Sequence, residues 1–237
     1  GNGGIGLGIA QGLAQAGAQV AIAGRNPEKN AAALKALGGK AIAIAVDVND
    51  AAQVKRMVAD AVQAFGGLDI LVANAGINIR KPPQDYSVEE WRQVVDTNLN
   101  SVFACCQAAY PEMKRRSGGK IVTIGSMTSI FGLALGSAYA STKGAVVQLT
   151  KSLAIAWAKD NIQVNSILPG WIDTDLTRGA RAQIPGLNER ILQGTPAARW
   201  GEPADLAGTA VFFCSRGSDF VTGTALPVDG GYSSSIF

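Results

Sequence analysis

Short apolar, β-branched runs alternate along the chain with longer stretches in which apolar residues return every three to four positions. The runs predict strands at residues 20–23, 41–46, 70–74, 120–124, 162–168 and 225–228. The longer stretches predict helices at 6–15, 27–37, 51–65, 88–116 (long enough to carry a break), 138–159 and 204–214. Apolar strands separated by helices of ten or more residues read as a parallel sheet covered on both faces. The expected fold is therefore one doubly wound, Rossmann-like α/β domain over residues 1–237. Gly38-Gly39 and Gly66-Gly67 fall where helices should stop. Residues 169–203 show no clear period and carry Gly170, Gly179, Pro185, Gly186 and Gly194. A stretch of that length inside a compact domain is expected to be functional, here a substrate lid around 170–203.

The chain opens Gly1-Asn2-Gly3-Gly4-Ile5-Gly6-Leu7-Gly8, directly before an alanine-rich helix. Glycines there let backbone N–H groups approach a pyrophosphate at the helix N-terminus, where the dipole favours anions. The strand that should precede such a loop is missing, although in this fold it is central. The expectation is a gap in the sheet and roughly ten further residues upstream, enough for one strand.

Composition narrows the chemistry. Of 237 residues none is histidine, which excludes Ser-His-Asp and Cys-His triads, HExxH zinc sites and haem ligation by histidine. No metal site is expected. Charged residues make up 16%, too few for a disordered chain, and glycine is in excess at 29 residues. The net charge of +3 is spread thinly, and its one dense basic cluster, Lys114-Arg115-Arg116, ends a helix. It reads as cations complementing a helix C-terminus, so no nucleic-acid partner is expected. Cys105, Cys106 and Cys214 have neither CxxC spacing nor an even count, and read as core thiols of a cytoplasmic protein. No apolar run reaches membrane-spanning length, and no signal peptide precedes the first motif.

Tyr139-Ala-Ser-Thr-Lys143 places a phenol and an ammonium one helical turn apart on one face. Tyr110-Pro-Glu-Met-Lys114 has the same spacing, but only Tyr139 follows a serine, Ser126, at the expected C-terminal end of an apolar strand. Ligands bind open α/β sheets at that edge; Tyr110 reads as structural. Bringing a phenol from a pKa near 10 to about 7 takes roughly 4 kcal/mol of phenolate stabilisation, which the charge of Lys143, helped by any positive nicotinamide ring, is expected to supply. Tyr139 would then act as general acid or base without histidine.

Over essentially its whole length the chain resembles the short-chain dehydrogenase/reductase family. The matching pieces are the glycine loop, Asp47-Val48, Asn74-Ala75-Gly76, Thr97-Asn98-Leu99, Ser126, Tyr139, Lys143, Pro169-Gly170 with Thr174, and Val228-Asp229-Gly230-Gly231. The resemblance implies hydride transfer between a nicotinamide cofactor and a secondary alcohol or ketone. It implies that Asn98 holds a water in a proton relay, Ser126 binds the substrate oxygen and Tyr139 transfers the proton. Lys143 would bind the nicotinamide ribose. Gly4 and Gly6, with Asn2 and Ile5, would lie by the pyrophosphate, and Asp47 and Val48 by adenine. Asn74, Ala75 and Gly76 would lie beneath the adenosine ribose, with Pro169, Gly170, Ile172 and Thr174 by the carboxamide or phosphates. The resemblance further implies a homotetramer joined through residues 101–116 and 138–159.

Ala23-Gly24-Arg25-Asn26 occupies the place that selects the cofactor, with Gly24 twenty residues after Gly4. No carboxylate stands there to grip a ribose 2′-hydroxyl, and Arg25 can pair with a 2′-phosphate, so NADP is expected over NAD. Residues 76–80, 187–191 and 197–201 are similar to those of members acting on sugar acids, the gluconate 5-dehydrogenase and 2-dehydro-3-deoxy-gluconate 5-dehydrogenase type, so the expected substrate is a sugar acid, sugar or polyol. Arg80, Arg178 and Arg181 are candidate clamps for a substrate carboxylate, and Met127 and Trp171 candidate pocket walls. A 3-oxoacyl-thioester reductase is the alternative within the family, and a silent cofactor-binding relative the alternative outside enzymes.

Overall fold

The computed structural model describes residues 1–39 and 41–235. Helix α1 (Gly4–Gln15) precedes β1 (Val20–Gly24), α2 (Pro27–Leu37), β2 (Ala41–Ala45), α3 (Ala51–Phe65) and β3 (Ile70–Ala73). Then follow α4 (Val88–Val95), α5 (Ser101–Arg115), β4 (Gly119–Ile124), α6 (Ser137–Trp157) and β5 (Ile162–Pro169). Helices α7 (Asp175–Gln183), α8 (Leu187–Gly194) and α9 (Ala207–Cys214) precede β6 (Ala225–Val228). The predicted strands agree to within a residue or so, and their pairings are all parallel.

Alternation along β4 assigns its two faces. Ile121 points into a core with α5 and α6, while Val122 and Ile124 point into one with α1 and α9. Helix α3 closes a third cluster against α5 through Val54, Met57, Val58 and Cys105. Both faces of the sheet are thus covered, as the sequence predicts. Strand β5 is buried at every position, since it lies between β4 and β6 with helices above and below.

The strands form two ladders, β1-β2 and β3-β4-β5-β6, and not one. Between β1 and β3 lies a cavity of about 600 Å³, lined by apolar residues including Ile9, Leu13, Ile22, Leu71 and Val102. The gap expected from the sequence lies between these two ladders.

Local chemistry accounts for the element ends. Asn26 caps α2 by accepting from Lys29 N at 2.8 Å, with Pro27 in the first turn, and Asp50 caps α3 through Ala52 N and Gln53 N. Gly66 stops α3 in the left-handed conformation. The long predicted helix 88–116 does break. One π-helical turn, Asp96–Asn100, joins α4 to α5, and such insertions frequently mark functional sites. Residues 169–203, without period in the sequence, contain α7 and α8, which bury Ala180, Leu187 and Ile191 against Trp171, Ile184 and Trp200.

Tyr110 takes the structural role expected of it. It stacks on Trp157 at 4.8 Å and donates to Asp160 at 2.7 Å, tying α5 to the end of α6. Lys114, Arg115 and Arg116 pair with Asp160, Glu112 and Asp69, so the basic cluster is balanced within the chain. Burial raises all three cysteine thiols, Cys105 to about 11, Cys214 to about 12 and Cys106 further still, as suits unreactive core thiols. No helix of the described residues is long and apolar enough to cross a membrane.

Candidate active site

Parallel strands deliver their C-terminal ends to one edge, so Gly24, Asn74, Ser126 and Pro169 all emerge on the same side. The glycine loop lies there too. Gly4 has φ +49°, and a side-chain carbon on Gly6 would stand 2.7 Å from Asn74 Nδ2. Helix α1 has no side-chain cap and no acidic residue in its first turn, leaving its N–H groups and dipole to an external anion. Asn2 reaches across to Asn30 Oδ1 at 2.7 Å, and Asn30 donates to Gly24 O at 3.0 Å. Thr174 packs against Gly4. These features fit a dinucleotide: Thr174 adjoins Gly4 and Asn74 adjoins Gly6 at the uncapped N-terminus of α1, with Asn2 beside them in the loop.

Ser126 follows β4, and its turn is pinned to α6. Ser129 Oγ donates to Lys143 O at 2.7 Å while accepting from Ser126 N at 3.2 Å. Ser126 Oγ accepts from Thr128 N at 3.1 Å, and Ser126 favours the ionised form of the nearby Tyr139 phenol. A serine hydroxyl also carries one proton that it can donate to a substrate oxygen. Asn98, fully buried in the π-helical turn, clamps Ile77 through both backbone groups, with Oδ1 to Ile77 N at 2.8 Å and Nδ2 to Ile77 O at 2.9 Å. Asn98 also donates to Thr142 Oγ1 at 3.2 Å, and Thr142 donates to Tyr139 O at 2.8 Å. Ser129 and Thr142 are positioning residues that sequence reading missed. The signal was there for Thr142, a small polar residue on the helix face of Tyr139.

Lys143 departs from its expected action. It is 4% exposed, donates to Ile124 O at 2.7 Å, and stands 5.5 Å from the centre of the Tyr139 ring. Burial holds the Tyr139 phenol above its ordinary value, outweighing the downward pull of Ser126 and, after it, of the Arg80 guanidinium. In the chain by itself Tyr139 is thus protonated at neutral pH, and Lys143 without the nicotinamide does not bring the phenol near 7. Burial depresses Lys143 itself to about 8. A carbon on Gly76 would lie 3.5 Å from Lys143 Nζ and 3.4 Å from Asn98 Oδ1, so the Asn74–Gly76 turn adjoins this group.

The Lys143 shift has a measurable consequence. Its folded pKa of about 8 lies below the ordinary 10.5, a cost of about 3 kcal/mol wherever the lysine is charged in both states. The unfolded chain binds more protons between those values, so stability rises with pH across that window. Lys143→Met removes the buried charge and one hydrogen bond. Its melting temperature at pH 7 is expected to exceed wild type by about 2–6 °C, with the difference shrinking toward pH 9.5. Calorimetry at both pH values checks this; a lower melting temperature at pH 7 refutes it.

The remaining predicted residues divide. Arg25 lies 3.6 Å from Asp47 Oδ2, a carboxylate the second strand brings in and the β1 sequence does not contain. Val48 packs with the α3 core and Ile5 with the α1 core. The Ile172 side chain is buried and its carbonyl accepts from Thr177, so its backbone N–H is what it can offer a cofactor. Gly170 donates to Val228 O at 3.0 Å, which places the Pro169-Gly170 turn against the Val228-Asp229 tail. Met127 is buried beside Ser126, and Trp171 meets Trp200 edge-on at 5.8 Å. Arg178 and Arg181 are not free clamps. Arg178 pairs with Asp173 and Asp175, and Arg181 with Asp173 while lying 4.3 Å over the Trp200 ring. Arg80 alone of the three meets no carboxylate among the described residues; it is partly buried and donates to Leu176 O at 2.9 Å.

A family profile described as enoyl-(acyl carrier protein) reductase matches residues 1–233. Gluconate 5-dehydrogenase of Gluconobacter oxydans is 40% identical over 98% of this chain and 92% of its own length. The 2-dehydro-3-deoxy-D-gluconate 5-dehydrogenase of Bacillus subtilis is 42% identical over 98% and 91%. A crystal structure of gluconate 5-dehydrogenase from Burkholderia cenocepacia, in complex with NADP and tartrate, superposes with a TM-score of 0.93 at 39% identity, covering 99% of this chain and 93% of that one. With Ser126, Tyr139 and the buried Lys143 beside the open α1 N-terminus on one sheet edge, these matches make the chain a member of the short-chain dehydrogenase/reductase family, NAD(P)-dependent enzymes that act on CH–OH groups.

Proposed function

We propose that this protein interconverts a secondary alcohol and a ketone on a sugar acid, with NADP as the preferred cofactor. The observation that carries the reading is Arg80. A partly buried guanidinium whose one hydrogen bond goes to the neutral Leu176 carbonyl, and which acts electrostatically on Tyr139, is poised for an anion beside the proton donor. A sugar-acid carboxylate meets that need, and the sugar acids in the names of the relatives support it. The nicotinamide, when bound, gives or takes the hydride. Ser126 donates its hydroxyl proton in a hydrogen bond to the substrate oxygen, and Tyr139, protonated at neutral pH, gives its own as the ketone is reduced. Lys143 has two donors left beyond Ile124 O, enough for a ribose hydroxyl. Residues 170–203, held to the core by Arg80 at Leu176, act as the lid. In one domain spanning the chain, Arg25 at the end of β1 selects the 2′-phosphate. Phe103 on α5 and Ile155 on α6, 45% and 80% exposed, support self-association into a tetramer through those helices.

A screen of sugar acids, uncharged polyols and 3-oxoacyl thioesters, each with NADPH or NADH or their oxidised forms, tests the reading. The expected result is the highest kcat/KM on a sugar acid, at least about tenfold higher with the 2′-phosphorylated cofactor. Turnover of acyl thioesters with none of sugar acids would establish the thioester reductase instead. Cofactor binding without turnover of any class would leave a silent relative.

A further inference from the structure

The cofactor-selecting corner holds two cations, not one. Arg25 follows β1, and Lys29 lies one turn into α2, on the same helix end that Asn26 caps. Each rests loosely against a carboxylate: Arg25 NH1 stands 3.6 Å from Asp47 Oδ2, and Lys29 Nζ 3.7 Å from Asp175 Oδ2. Both separations exceed hydrogen-bond length, and both cations are more than half exposed, so neither contact holds its cation firmly. Asp175 does not depend on Lys29, because Arg178 NH2 donates to its other oxygen at 2.5 Å. Lys29 can leave Asp175 without stranding a carboxylate.

Charge decides how many cations the corner needs. A phosphate monoester carries close to two negative charges at neutral pH. Arg25 already faces Asp47, and Glu28 adds a second negative charge in the first turn of α2. Arg25 by itself leaves a dianion under-compensated. Lys29 is the next cation along this corner, and the first residue of α7 holds it in reserve.

We propose that Lys29 is a second selectivity residue for a 2′-phosphorylated dinucleotide, exchanging its contact with Asp175 for the phosphate. The proposal rests on the NADP preference stated above and adds a residue and a competitor to it. The phosphate takes Lys29 in a charge-assisted contact shorter than the one given up. Asp175 then acts as an internal competitor, whose removal should favour the phosphorylated cofactor only while Lys29 is present.

Equilibrium titration of the full chain with NADPH and NADH, followed by cofactor fluorescence, tests this in wild type, Lys29→Gln, Asp175→Asn, the double variant and Arg25→Gln. Lys29→Gln should weaken NADPH about tenfold and leave NADH within about twofold. Asp175→Asn should tighten NADPH about two- to threefold, and that gain should vanish in the double variant. An undiminished NADPH-to-NADH ratio in Lys29→Gln, with the ratio lost in Arg25→Gln, overturns the role of Lys29 and spares the cofactor preference. Equal binding of both cofactors by the wild type overturns that preference and this role with it.

Discussion

Exchanging Tyr139 for Phe should lower kcat for ketone reduction by about a thousandfold and leave the cofactor dissociation constant within about twofold of wild type. The substitution removes one oxygen. The ring keeps its place, because Thr142 holds the Tyr139 backbone and Asn98 holds Thr142. What is lost is the proton given to the substrate oxygen, and no histidine exists to replace it. Water could do so only slowly, and Ser126 has the higher intrinsic pKa of the two hydroxyls. The pH dependence sharpens the test. Burial keeps the phenol above its ordinary pKa against the pull of Ser126 and Arg80, so wild-type Tyr139 is a donor throughout the neutral range. Reduction should therefore be level near neutrality and fall as the phenol ionises, while alcohol oxidation, which needs the phenolate, climbs over the same range. Both limbs should be absent from the residual activity of the Phe variant. Unchanged kcat, or a pH profile that survives the substitution, would remove Tyr139 from the proton step.

Much of this was legible in the sequence, for identifiable reasons. Strands such as β5 read clearly because burial on both faces demands an unbroken apolar run. Ser126, Tyr139 and Lys143 were legible because a strand end and one turn of helix fix their mutual placement without long-range information. Helices α7 and α8 were not, since their stability rests on Thr174–Thr177 and Arg–Asp contacts and a few buried residues instead of a continuous apolar stripe. The three loop arginines looked equivalent in sequence. Only folding reveals that Asp173 and Asp175 consume Arg178 and Arg181, whereas Arg80 reaches a carbonyl 96 positions away. Asp47 facing Arg25 is equally non-local, because parallel pairing of β1 with β2 sets the ends of both strands side by side. The tuning of Tyr139 was misread for a related cause. Helical spacing correctly put Lys143 on the right face, but the Ile124 carbonyl takes its ammonium, and that acceptor lies on another element.

Arg80→Met should cost about 100-fold in kcat/KM on a sugar acid and no more than about threefold on a polyol of the same length lacking the carboxylate. Methionine keeps most of the apolar stem and deletes the charge. The large loss follows from the setting: burial already works against the guanidinium, no carboxylate among the described residues pairs with it, and its contact with Leu176 O is to a neutral atom. A substrate carboxylate supplies the missing countercharge, and without Arg80 it would be left beside Tyr139 uncompensated. The polyol makes no such demand. Its reduced counterpart still receives a proton, because losing the charge of Arg80 moves the Tyr139 pKa further upward and the phenol stays protonated at neutral pH. The alkaline fall in reduction should shift upward with it, a change that loss of a merely structural tie could not produce. If Arg80 served only to hold residues 170–203 through Leu176, acid and polyol would lose activity together and the pH limb would stay in place. Parallel kinetics on the two substrates across the alkaline range separate these cases, and equal losses would refute the carboxylate role.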